Sequence, residues 1–145
     1  MEQIQIIKDR SKLEGTCYIE LCLGKYKGKH WDESSLFFDE EVFGLIEVIF
    51  ERNIPNYNHY CMNDADSNSW GKILTELKEL SESLRSANDF NEIIGKVSFV
   101  FGGTRDYFQN HFQSCRGQLQ EMISQLSAWA ETNINKYGHI AVLGI

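Results

Sequence analysis

Apolar positions along this chain alternate between two spacings, and the changes of spacing divide it into elements. In Thr16-Cys17-Tyr18-Ile19-Glu20-Leu21-Cys22-Leu23 the odd positions Cys17, Ile19, Leu21 and Leu23 form a period-2 apolar face that ends at Gly24, as a strand requires. The run from Gln3 to Lys8 is expected to pair with it as a hairpin, turning within Asp9 to Gly15. Next, Phe38, Val42, Leu45, Ile46 and Ile49 fall at helical spacing. Asp39, Glu40 and Glu41 occupy the first turn, where acids complement the helix dipole, and Pro55 stops the helix soon after Arg52. A polar loop is expected from Asn56 to Ser69. A second helix then carries Ile73, Leu77, Leu80, Leu84 and Ala87, with Asn88 as an end signal.

The strongest periodicity comes third. Phe108, Phe112, Cys115, Leu119, Met122, Leu126 and Trp129 keep a four-three alternation, with Thr104 placed to cap the start and Gly138 following the end. Such a stripe suits packing on a sheet better than a coiled-coil seam. His139-Ile140-Ala141-Val142-Leu143-Gly144-Ile145 reads as a buried strand, inside the sheet or beside Cys17–Leu23. Residues 90–101 fit a helical turn followed by a short strand. The expected fold is therefore α+β: one domain over residues 1–145, with a small antiparallel or mixed sheet of N- and C-terminal strands. About three to four helices pack on it, including a long C-terminal amphipathic one.

Composition supports a packed globule. The 145 residues are 42% hydrophobic with a single proline, enough to bury a core without a metal or disulfide staple. Met1 to Lys8 has neither a basic leader nor an apolar core, so no secretory signal is expected. The apolar-rich run Val42 to Phe50 contains Gly44 and Glu47 and is too short to span a bilayer. A cytoplasmic protein without membrane contact is expected, its cysteines Cys17, Cys22, Cys61 and Cys115 reduced and buried as small thiols.

Charge changes the picture more. The net −7 is concentrated in the middle: residues 32–92 carry four Lys/Arg against fourteen Asp/Glu, a balance of −10, while both flanks are slightly positive. Such a field repels nucleic-acid phosphates and favours a basic partner. A local basic patch at Lys25, Lys27 and Lys29 is the exception.

Candidate chemistry is sparse. Asp64-Ala65-Asp66-Ser67-Asn68-Ser69 resembles the opening of a calcium loop, but Ser69 stands where the turn needs glycine and Thr75 where a bidentate Glu is needed. The run is more simply a turn and helix cap. Cys17 and Cys22 are five apart on a strand and point to opposite faces. His59, Cys61 and Asp64 lack a fourth ligand for zinc. His30 and Asp32 flank Trp31 as an acid–base candidate without a nucleophile nearby. His111 is expected at the surface. Phe101-Gly102-Gly103-Thr104-Arg105 could present backbone N–H groups to an anion, yet lacks the P-loop lysine. No catalytic residue, metal or cofactor is assigned.

Lys27-Gly28-Lys29-His30-Trp31-Asp32-Glu33, Phe38-Asp39-Glu40-Glu41-Val42-Phe43-Gly44, and the Trp129 helix running into His139–Ile145 together resemble small bacterial immunity proteins of polymorphic-toxin and contact-dependent growth inhibition systems. The resemblance implies a cytoplasmic protein that binds the C-terminal domain of its cognate toxin and blocks it, without catalysis of its own or direct nucleic-acid binding. Many such toxins are basic nucleases, and the acidic middle of the chain suits one. The contact surface is then expected at Asp32, Glu33, Asp39, Glu40, Glu41, Asp64 and Asp66, on loops and helix starts opposite the sheet formed by the chain ends. The alternative is a small enzyme or metal- or ligand-binding domain using the His30–Asp32 and His59–Asp64 loops; self-association through the third helix is a further one.

Overall fold

Leu36, Phe37 and Phe38 form a strand, and their placement organises the sheet. In the computed structural model, which describes Met1 and residues 3–145, strand β1 (Tyr18–Leu23) pairs antiparallel with β2 (Leu36–Asp39) on one side and with β4 (Ile140–Leu143) on the other. A two-residue β3 (Met62–Asn63) closes the far edge, giving the order β2-β1-β4-β3. The helices are α1 (Glu40–Phe43), α2 (Glu47–Asn53), α3 (Ser67–Ser86), α4 (Gly102–Asn110) and α5 (Phe112–Tyr137). Among the described residues the fold is thus α+β, five helices with a four-stranded antiparallel sheet, and α5 is the long C-terminal helix expected from its stripe.

The register separates two faces. Ile19 lies opposite Phe38, Leu21 opposite both Leu36 and Val142, and Leu23 opposite Ile140. All but Leu23 join one apolar cluster with Leu77, Leu80 and Leu84 of α3 and Cys115, Leu119, Met122 and Leu126 of α5. Trp70, fully buried in α3, donates its indole N–H to the Ile140 carbonyl at 3.0 Å and fastens helix to sheet. The other face carries Glu20, Cys22, Phe37, Ala141 and Leu143, and it is buried too. Tyr26, from the loop between β1 and β2, packs over Cys22, Ala141 and Leu143. The one-sided apolar face expected for β1 is therefore half of a strand buried on both sides.

Other expectations are corrected. Ile7 exchanges backbone hydrogen bonds with Phe37, at 2.8 and 2.9 Å, so the 3–8 segment borders β2 rather than β1, whose two sides are already filled. Phe38 belongs to β2, not to a helix: the run Leu36-Phe37-Phe38 is buried as strand, and Asp39 becomes the N-cap of α1 by accepting from the Glu41 N–H. The expected helix is divided into α1 and α2 around Gly44, where 3-10-type bonds link Leu45 to Val42 and Ile46 to Phe43. The loop expected up to Ser69 contains β3, and α3 begins at Ser67 behind its cap Asp66. Phe90–Ile93 is the helical turn foreseen, but no strand follows it among the described residues. Instead Phe99 packs against Phe90 and Phe108, and the Ser98 N–H donates to the Leu45 carbonyl. The third helix is broken at His111 into α4 and α5. Thr104 does not cap it, because α4 starts two residues earlier and turns Thr104 into the core. Gly138 ends α5 in the left-handed conformation, φ 75°, as its position suggested.

Candidate functional site

Strand directions place the C-terminal end of β2, the start of β1, the end of β4 and the start of β3 at one end of the sheet. Two acidic side chains meet one histidine there. His59, in the loop before β3, sets its Nδ1 2.6 Å from Glu47 Oε1 and its Nε2 2.9 Å from Glu40 Oε1. Two carboxylate acceptors leave both ring nitrogens as donors, so the ring is an imidazolium bridging the first turns of α1 and α2. Burial works against that charge, but the hydrogen bonds to Glu47 and Glu40 and their negative charges outweigh it and raise the His59 pKa. The Tyr57 hydroxyl also donates to Glu47 Oε1, at 2.9 Å. Burial, followed by the Glu47 charge, pushes that phenol far above its ordinary range. With no free lone pair on its ring, His59 is a clamp and not a poised general base.

A second cluster lies on the sheet face away from α3 and α5. Glu20 is 1% exposed, yet its carboxylate accepts from the Trp31 N–H at 2.6 Å, the Asp32 N–H at 3.1 Å and the Ser35 hydroxyl at 2.6 Å. These bonds fold the β1–β2 loop back over the sheet, with Trp31 held at φ 64°. His30 Nδ1 stands 3.9 Å from Glu20 Oε1, so its partner is Glu20 and not Asp32.

The seven residues expected at the contact surface divide into separate groups. Asp32 accepts from the Ser34 hydroxyl and N–H, which hold its carboxyl below the usual range, and Glu33 pairs with Arg10 at 2.7 Å. Asp39, Glu40 and Glu41 cluster at the end of β2, where Glu41 lies 3.5 Å from the Met1 amino group. Together with Glu14 they line a cavity of about 700 Å³ that also touches Cys17 and Phe101. Asp64 and Asp66 lie at the opposite end of the sheet, where β4 begins: Asp64 Oδ2 is 3.2 Å from His139 Nδ1, and Asp66 caps α3 through the Ser69 N–H. The His139 Nδ1 is buried without an aligned hydrogen-bond acceptor. Asp39, Glu40 and Glu41 thus stand at the end of the sheet itself and not on the side away from it.

The two loop pairs considered for chemistry do not assemble. His59 engages Glu40 and Glu47 while Asp64 engages His139, and Asp32 is occupied by Ser34. Among the described residues no three His, Cys, Asp or Glu side chains are placed to hold a metal ion. All four cysteines are free. Cys22 and Cys115 are buried as expected, whereas Cys17 and Cys61 are exposed because they lie just outside β1 and β3. The Gly102-Gly103 segment does open a helix, and beside it the buried Thr104 hydroxyl lacks a hydrogen-bond partner. His111 is exposed at the break between α4 and α5.

Glu20, Glu47 and Tyr57 are the site residues that pattern reading missed. The signal for two of them was a charge inside an apolar run, Glu20 within the β1 segment and Glu47 within Val42–Phe50. A buried charge needs partners, and both carboxylates have them. No protein-family model, curated protein or solved structure matches the chain. No helix among the described residues is long and apolar enough to cross a membrane.

Proposed function

We propose that this chain is an immunity-type inhibitor: a cytoplasmic protein that binds the C-terminal domain of a cognate toxin, a basic nuclease-type one, and blocks it. The observation that carries this reading is the outward display of acid from the middle of the chain. Asp39, Glu51, Asp64 and Asp66 are exposed, Glu33 is exposed in its pair with Arg10, and Arg52, the one Lys or Arg between Asp32 and Gly71, is held by Glu76 at 2.6 Å. A field so weakly compensated attracts a basic protein and accelerates its encounter. The engagement of His59 at both ring nitrogens, and the pairing of His30 with Glu20 and of Asp32 with Ser34, favour a binding role over an acid–base one. The resemblance of the 27–33, 38–44 and 129–145 segments to immunity proteins supplies the partner class.

The test is to look for a large exported toxin gene immediately upstream and to co-express its C-terminal domain with this chain. Protection of growth and a stoichiometric complex on size exclusion are expected. Growth arrest undiminished by the chain, with no complex formed, would overturn the proposal.

A further inference from the structure

Three large apolar side chains remain exposed on one stretch of paired backbone: Tyr60 at 71%, Met62 at 46% and Ile145 at 39%. Met62 lies across from Leu143, the Gly144 N–H donates to the Cys61 carbonyl at 2.9 Å, and the Ile145 N–H reaches the His59 carbonyl at 3.4 Å. Among the described residues no strand lies beyond β3, so its outer edge is open as well. The Tyr60 ring packs edge-on against His59, centroids 4.8 Å apart, and His59 binds Glu40, which lines the 700 Å³ cavity with Glu14, Asp39 and Glu41. Contacts from Tyr60 to His59 and from His59 to Glu40 thus link the apolar anchors to the acidic cavity at one end of the sheet.

We propose that this surface is the docking face for a basic polypeptide segment, whose apolar side chain seats on Tyr60, Met62 and Ile145 while a lysine or arginine enters the cavity. The proposal rests on the inhibitor reading for its partner class. Charge complementarity selects the occupant. Glu41 faces the Met1 amino group and Glu40 faces His59, but among the described residues Glu14 and Asp39 have no cationic partner. Exposed tyrosine and methionine beside such acids form the pattern of an interface in which apolar anchors supply affinity and charge supplies orientation.

The test uses the intact chain and the toxin domain. Cys61 lies within the anchor stretch and Cys17 lines the cavity, both exposed, whereas Cys22 and Cys115 are buried. In the complex, maleimide alkylation of Cys61 and Cys17 is expected to slow severalfold. Tyr60→Ala combined with Met62→Ala is expected to weaken binding by roughly 30-fold or more, as loss of a hot spot does, with circular dichroism and melting temperature unchanged. A complex in which both thiols react as in the free chain, or one that tolerates the double substitution, overturns this surface and leaves the inhibitor reading intact. If no complex forms, the inhibitor reading fails and the surface is tested alone with a synthetic peptide alternating lysine and tryptophan. Saturable slowing of Cys61 alkylation, abolished by the double substitution, then upholds the surface, and unchanged alkylation overturns it.

Discussion

Glu47 is nearly buried at the start of α2, and the imidazole of His59 meets it at 2.6 Å from a loop twelve residues along the chain. The loop thus neutralises a carboxylate whose other side-chain partner is the uncharged Tyr57 hydroxyl, since an uncompensated charge is costly in a low-dielectric interior. The same ring reaches Glu40, so one side chain couples α1, α2 and the approach to β3.

That coupling has a pH signature. The folded-state pKa of His59 is raised, so its contribution is complete below the unfolded value, about 6.5, and is lost as pH rises through the folded value. Glu40 and Glu47 accept from the ring, and Tyr57, also bonded to Glu47, stays protonated. Melting temperature is expected to decline on the alkaline side of about pH 6.5, and to decline less in His59→Gln. Equal pH profiles for the two proteins would show that the clamp does not contribute.

Glu20 is the corresponding support for the β1–β2 loop. Glu20→Ala would leave the Trp31 and Asp32 N–H groups without their acceptor, at a cost of roughly 3 kcal/mol or more. Urea denaturation reads the loss, and amide exchange at Trp31 and Asp32 should accelerate more than exchange in β4. Uniform acceleration across the sheet would mean that Glu20 supports the whole fold and not this loop.

Gly144 closes the other side of the clamp. A Cβ there would overlap the His59 carbonyl oxygen and stand 2.8 Å from its carbon and 2.9 Å from the Cys61 oxygen, all backbone atoms with little room to yield. Gly144→Ala is expected to destabilise the fold by about 1–3 kcal/mol, the usual range for overpacking. It should also shift the NMR resonances of the His59 ring. Wild-type melting and an unmoved ring would show that the C-terminal residues are not held against this loop.

Association with a basic partner should be steered by charge. Raising salt from low to physiological strength is expected to slow the association rate by about tenfold or more, with a smaller effect on dissociation. Stopped-flow mixing with the toxin domain measures both. A salt-independent association rate would remove the acidic field from the mechanism.

Local patterning by itself determined the elements whose neighbours agree with them. The α3 stripe of Ile73, Leu77, Leu80 and Leu84, the α5 stripe from Cys115 to Leu126, the Gly138 stop and the apolar terminal strand are all readable from spacing, because burial of one face imposes a period on the sequence. Spacing could not separate Phe38 in β2 from the helix that follows, since a short apolar run suits either structure and pairing with Ile19 decides it. Nor could it place Ile7 beside Phe37, a choice made by which strand edge is still open after β4 docks on β1. The acidic excess was visible as composition. Its division between the Asp39–Glu41 and Asp64–Asp66 ends of the sheet, and the consumption of Glu20, Glu40 and Glu47 by internal partners, were decided only by tertiary structure. Charge is counted along a chain, but its effect depends on distance and burial, and those exist only once the strands have met.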